Sequence, residues 1–389
     1  MSIVLLIVGI VLFIGLVVIH EWGHFVAARR GGVEAEEFGI FFPPRLYKHK
    51  TKAGWLFTIN LLPLGGFVKL KGEHDSDTEP GTFGAASLWV KTQIMAAGVF
   101  MNLVTALVLL TILALVGMPA LIPNQFTVKK DTKLVSQEVL IGYVEPGSPA
   151  AKIGLQPEDQ INDISLPGYS PVSLDNADKL PAITKSFAGK SVIVYYARAG
   201  HEREARTTLL TAKTVAASQK TDNPKGYLGI SPTQFTLQRS TWSAPIVAVG
   251  LSAQITALTF QGLGHALAGL GSLLAGGVTG NTVARQHGQT SATAQVAGPV
   301  GIFAIMKSGS LLGYQFMLFI IAIISLTLAI MNILPVPALD GGRLWITLVA
   351  RALKKPLSAG VEEAINMTGF VVLIGLVVLI TIVDVKRYF

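Results

Sequence analysis

The sequence contains no cysteine in 389 residues. Disulfides and thiolate metal sites are therefore excluded, and any metal must be held by His, Asp or Glu. Charge is also scarce. Asp, Glu, Lys and Arg make up 14% of the chain, against about 25% in a soluble domain. No basic stretch interleaved with aromatics occurs and no nucleic-acid motif, so the net charge of +8 reads as a topology signal. The opening "MSIVLL" lacks the basic region of a signal peptide, and it is expected to be retained.

What is present is apolar. Hydrophobic residues make up 51% and the mean hydropathy is +0.55, which places the chain among membrane proteins. The 40 Gly and 19 Pro exceed what plain spanning helices need and suggest broken helices or loops at membrane depth. Four runs approach or exceed the roughly 20 apolar residues of a span. They are residues 2–19, a stretch near 93–116, 308–339 and 364–383. A fifth, 240–284, is uncharged apart from His265 but rich in Gly, Ser, Thr and Gln.

Loop charge sets orientation. The connection 25–91 carries Arg29, Arg30, Arg45, Lys48, Lys50, Lys52, Lys69, Lys71 and Lys91, and 341–363 carries Arg343, Arg351, Lys354 and Lys355. Both belong on the cytoplasmic side by the positive-inside rule. If His20 and Asp340 lie on one side, the chain crosses an even number of times between the first and third runs. On that ground 244–276 is expected to lie on or dip into the membrane rather than cross it.

Residues 125–235 are the one soluble-looking stretch. "EVLIGYV", "SVIVYYARA" and "EARTTLL" are strand-like, and "EPGSPAAKIGLQPEDQI" holds turns around a short helix. With "GYLGI" at 226–230 placed like a carboxylate-binding loop after the core strands, the segment resembles a PDZ domain in permuted order. Such domains bind peptide by strand addition at a sheet edge. A generic small β-rich domain is the alternative.

The chemistry starts at His20-Glu21-Trp22-Gly23-His24, which fits H-E-x-x-H. On a helix, i and i+4 share a face, so both imidazoles reach one zinc while the glutamate addresses bound water. The alternative is a pair of surface histidines at a helix end. "MNILPVPALDGGRLW" (331–345) closes the third run. Its prolines break the helix, Gly341 and Gly342 permit a sharp turn, and Asp340 is a candidate third ligand. Alone, Asp340 reads as a helix-end carboxylate or N-cap. Beside the two histidines it reads as part of a hydrolase site. His265 reads as structural, and His49, His74, His201 and His287 as solvated.

Together these segments resemble the bacterial site-2 proteases, intramembrane zinc metalloproteases of the regulator of sigma-E protease type with a single PDZ domain. The resemblance covers nearly the whole chain. It implies Zn²⁺ bound by His20, His24 and Asp340, and Glu21 as the catalytic glutamate. It implies that Asn332 helps hold the substrate, and that "INLLPLGGFVKLKGE" (59–73) is a membrane-reentrant β element turning at Gly65-Gly66. Gly65, Gly66, Phe67 and Val68 would then meet the unwound substrate. "AAGVFMN" (96–102) and "VAGPVGIFAI" (296–305) also match; Gly98 permits close helix packing and Asn102 can hydrogen-bond across helices, a structural reading, and the second segment has no readable role.

The expected protein is a polytopic α-helical membrane protein with about four transmembrane helices. Its expected parts are an N-terminal membrane core at 1–124 with the β element at 55–73, an extracytoplasmic PDZ domain at 125–235, a membrane-associated amphipathic region at 236–307 and a C-terminal core at 308–389. It would sit in the bacterial inner membrane and cut single-span membrane proteins such as trimmed anti-sigma factors or signal-peptide remnants. A trimmed C-terminus at the PDZ domain and the lipid bilayer are its other expected partners, and no nucleic acid is. A silent PDZ scaffold and a metal transporter are the rival readings.

Overall fold

The computed structural model describes residues 2–73, 77–219, 221, 224–279, 298–353 and 358–388. His74, His287, Lys354, Lys355 and the first two residues of "VAGPVGIFAI" lie outside these. The chain divides into two compact units, one of Met1–Leu5, Thr111–Val247 and Lys307–Phe319, the other of Leu6–Leu110, Ala248–Met306 and Ile320–Phe389.

Helix α1 (Ser2–Arg30) follows from an apolar run with no proline. Its 29 residues span about 44 Å, more than the roughly 30 Å of a bilayer core. A strand pair follows, β1 (Ala35–Lys50) and β2 (Leu56–Leu70). Phe38 pairs with both Val68 and Phe57, Gly39 with Phe67 and Thr58, and Ile40 with Gly66 and Ile59. β2 therefore folds back between Ile59 and Gly66, with Pro63 and Gly65 at the bend. β1 was not foreseen, because Pro43-Pro44 and its acidic start argue against a strand.

Helix α2 (Leu88–Val116) runs antiparallel to α1. Gly31 faces Val90, Gly23 faces Ala97, and His20 meets Asn102. Gly23 permits the close approach: a Cβ there would stand 2.7 Å from Ala97 O.

The β region of the first unit holds β3 (Met118–Pro119), β4 (Lys133–Val144), the short α3 (Pro149–Lys152), β5 (Gln160–Ser165), β6 (Val172–Ser173), α4 (Lys179–Ser186), β7 (Ser191–Arg198), β8 (His201–Thr208), α5 (Ala212–Ser218) and β9 (Ile230–Arg239). The strand order is β3-β9-β4-β5-β7-β8, with β6 on β5. Val139 and Ile141, and Val192 and Val194, enter its core at the alternate positions a half-buried strand turns inward; Ile161 and Ile164 join them three residues apart, across a register shift at Ile161–Asp163. Arg198 clamps Asp159 through Nε at 2.6 Å and reaches Gly154 O at 2.7 Å. β9 is tied to the last turn of α2, since Ser240 N donates to Ala114 O and Arg239 Nε to Leu115 O.

α6 (Ala244–Thr279), α7 (Pro299–Gly309), α8 (Tyr314–Ile333), α9 (Asp340–Ala352) and α10 (Ala359–Tyr388) follow. The protein is a polytopic helical membrane protein with a β domain. Among the described residues five helices are long and apolar enough to cross a membrane: α1, α2, α8 and α10, and in addition residues Ala244–Gly269 of α6. The fifth is one candidate more than the expected count of about four. Its mean hydropathy of 1.5 is well below the 2.6 to 3.2 of the others, in keeping with the Gly, Ser, Thr and Gln that make it ambiguous; the parity of crossings is the ground for expecting it on the membrane.

α9 is amphipathic, burying Gly341, Gly342, Leu344, Thr347 and Ala350. The two glycines were expected to make a turn. Neither has positive φ; the left-handed residue is Ala338, at φ 72°. Gly341 and Gly342 instead let α9 pack on the proline segment, where Cβ atoms would stand 2.5 Å from Ile333 O and 2.9 Å from Pro337 Cα.

Candidate metal centre

His20 and His24 lie one turn apart on α1 and are 8% and 9% exposed. α8 ends at Ile333, the segment through Pro335 and Pro337 is irregular, and Asp340 opens α9. A helix N-terminus favours a carboxylate. The N-cap is Leu339; the Asp340 side chain turns to the histidines. Its Oδ2 lies 3.0 Å from His20 Nε2 and 3.1 Å from His24 Nε2, and the two Nε2 atoms are 3.2 Å apart. Donors placed 2.0–2.1 Å from a tetrahedral zinc stand roughly 3.3 Å apart. Among the described residues this is the one His/Cys/Asp/Glu group arranged to hold a metal.

The second ring nitrogens explain why a cation fits. His24 Nδ1 lies 2.7 Å from Ile94 O, a bond in which the ring can only donate. His20 Nδ1 lies 3.2 Å from the Asn102 side-chain amide. Asn102 Oδ1 is buried and lacks a partner, and a half-turn of the side-chain amide exchanges its oxygen and nitrogen. With Oδ1 turned to the ring it accepts from Nδ1 and the orphan is satisfied. Both Nε2 lone pairs then face each other and a carboxylate. Three acceptors at 3 Å repel unless a cation stands between them.

Gly98 of α2 leaves the space. A Cβ there would abut His24 Nε2 and stand 2.6 Å from His20 Cε1. The Ser325 hydroxyl donates to Asn102 O at 2.8 Å, so α8 braces the same turn of α2. From sequence, Gly98 reads as close packing and Asn102 as a hydrogen bond across helices, both structural roles. Their contact with the imidazoles is tertiary, and only the four-residue spacing hinted at it.

Glu21 lines a cavity of about 190 Å³ with His24, Asp340, Gly66, Phe67 and Val68. Gly66 closes on the glutamate, where a Cβ would be 3.0 Å from Glu21 Cγ. Gly65 sits at the bend, against the Phe42 ring, and does not line this cavity. Asn332 is half-buried in the last turn of α8 and does not line it either. Arg343, one turn beyond Asp340, lies over Phe83 at 4.5 Å and donates to Glu73 O.

The profile described as peptidase family M50 matches residues 8–376. A Clostridium perfringens protein that carries the provisional name of a zinc metalloprotease is 28% identical over 381 residues, 98% of each chain. A Nostoc protein so named is 31% identical over 369 residues, 93% of this chain and 90% of its own. One from Campylobacter jejuni is 29% identical over 383 residues, 96% and 90% of the two.

Proposed function

Because the chain belongs to peptidase family M50, and is thereby a zinc metallopeptidase, we propose that it cuts peptide bonds within or near the spans of single-span membrane proteins. The observation that carries this is the meeting of His20, His24 and Asp340 in a cavity shared by Glu21 and the β2 backbone.

His20, His24 and Asp340 are the residues that would hold the ion. Zinc bound there would supply Lewis-acid polarisation of a peptide carbonyl and acidify a water. Glu21 takes the proton from the attacking water and passes it to the leaving nitrogen. Asn102 and the Ile94 carbonyl fix the two rings. Residues Gly66–Val68, at the cavity wall, accept an extended substrate segment by strand addition, with Gly65 making the bend that presents them. A helical substrate hides its peptide bonds, so unwinding onto such an edge is a requirement of the chemistry. Asn332, by resemblance to site-2 proteases, contacts substrate in its bound state.

Four crossings fit this site better than five. α1 and α2 are antiparallel. Ser325 meets Asn102 and Asp340 meets His24, so α8 runs with α1. An even number of crossings must then separate α2 from α8. α7, with 11 residues, is about 16 Å long and cannot supply one. The Gly298 and Gly301 amides donate to Asp384 at the end of α10 far from Glu362 and Arg343. Residue 298 is thus at the end of α10 opposite the metal ligands, as expected if the chain from α2 to residue 298 makes no net crossing.

By the positive-inside rule the metal faces the cytoplasmic side of a bacterial inner membrane. Residues 125–235 form an extracytoplasmic PDZ domain that screens substrates by size or senses a trimmed C-terminus. The membrane parts are 1–124 with the reentrant element at 55–73, the associated region at 236–307, and 308–389.

Incubation of the purified protein with a model single-span substrate tests the reading. Wild type should cut. Chelated wild type and Glu21→Gln should not, while Glu21→Gln retains one zinc per chain. An uncut substrate with fully zinc-loaded wild type, or cutting by Glu21→Gln at the wild-type rate, would overturn it.

A further inference from the structure

Asp340 and Arg343 border a second cavity, of about 430 Å³, on the side of α10. Glu363, Asn366, Met367 and Phe370 of α10 line it. Their spacing of three, four and seven residues puts them on one helix face. Nothing in the metal chemistry above uses this space, yet Asp340 and Arg343 stand in its wall and in that of the catalytic cavity alike.

Its chemistry is uneven. Met367 and Phe370 are 57% and 54% exposed and give an apolar wall. Arg343 is already spoken for: Nη1 lies 3.7 Å from Glu73 Oε2 and Nε 3.8 Å from Glu362 Oε1. Its charge is offset by two carboxylates, and that of Asp340 is committed to the metal. Among the described lining residues the sign at the rim is therefore set by Glu363, which is exposed. Asn366 adds a half-buried amide between rim and wall. An apolar lane ending at a carboxylate fits a side chain with a long apolar stem and a cationic head.

Membrane spans carry such side chains at their cytoplasmic ends, and α1 itself ends in Arg29-Arg30. We propose that this cavity is a substrate subsite for a Lys or Arg flanking the substrate's apolar span, with Glu363 as its charge-reading residue. The inference rests on the intramembrane-protease reading and deepens it by naming the residue class recognised beside the cut.

Full-length zinc-loaded enzyme is given single-span substrates in which Lys, Gln and Glu are stepped through each position flanking the cut. At one position Glu should lower kcat/KM about three- to fivefold relative to Lys, the size of a rim charge pair. Glu363→Lys should reverse that order, and the near-isosteric Glu363→Gln should flatten it, with thermal midpoint and zinc content held at wild-type values. Equal cutting of Lys, Gln and Glu at every position, or an order unchanged in both variants, would overturn the subsite while leaving proteolysis intact. Failure to cut any of the substrates would overturn the protease reading and the subsite with it.

Discussion

Asn102 and His20 meet across two helices, the amide of one 3.2 Å from Nδ1 of the other, and the carbonyl of the same asparagine is braced by Ser325. The pair links the first apolar run to the second at the depth of the metal ligands. It converts a helix-packing residue into one that sets a ligand's tautomer and aim.

Asn102→Leu should therefore weaken zinc about 10- to 100-fold, the usual effect of losing such an outer partner. Asn102→Asp keeps an acceptor for Nδ1 and should lose much less. Chelator competition on purified protein reads both, with the thermal midpoint as a check on folding. Equal zinc affinity in Asn102→Leu and wild type would remove the asparagine from the site.

Two glycine-to-alanine changes should have opposite signs. At Gly15 a Cβ meets nothing within 4 Å, and alanine should stabilise α1 by about 0.5–1 kcal/mol. At Gly98 the added methyl enters the space between the imidazoles and should destabilise by about 1–3 kcal/mol, with loss of bound zinc. Zinc content by elemental analysis, beside thermal unfolding, distinguishes the two.

Metal removal should expose the repulsion among His20, His24 and Asp340. Binding to the folded form alone stabilises by about 4 kcal/mol at a free zinc level 1,000 times the dissociation constant. A chelated sample should melt earlier by the corresponding amount, and His24→Ala should show no chelator-dependent shift. A wild-type melting curve indifferent to chelator would count against a built metal site.

In the first unit, Asp131 is the predicted pH-sensitive group. The Ser243 hydroxyl, then the Thr241 hydroxyl and the amides of both residues, donate to its carboxylate and hold it well below the ordinary carboxylate range. A depressed carboxylate stabilises fully above its unfolded pKa, near 4, and the contribution fades as pH falls through the lower folded value. Asp131→Asn should thus melt below wild type at neutral pH, and the gap should narrow as the pH drops below about 4. A gap independent of pH would assign the effect to packing alone.

Local chemistry decided a good deal. His20, Glu21 and His24 share a helix face because 3.6 residues make a turn, whatever the rest of the chain does. The apolar runs at α1, α2, α8 and α10, and strands β4, β7 and β8, follow from periods that any window of sequence displays. The proline segment and an aspartate at the start of the following element were equally readable. What the sequence left open depends on contacts between distant residues. That Asp340 comes within 3.1 Å of His24, that Gly98 and Asn102 serve the imidazoles rather than packing alone, that β1 pairs on two sides with a folded-back β2, and that Gly341 and Gly342 admit a backbone neighbour rather than a turn are all decided by packing. A side chain's partner is set by where other elements stop, and no single stretch of chain carries that information.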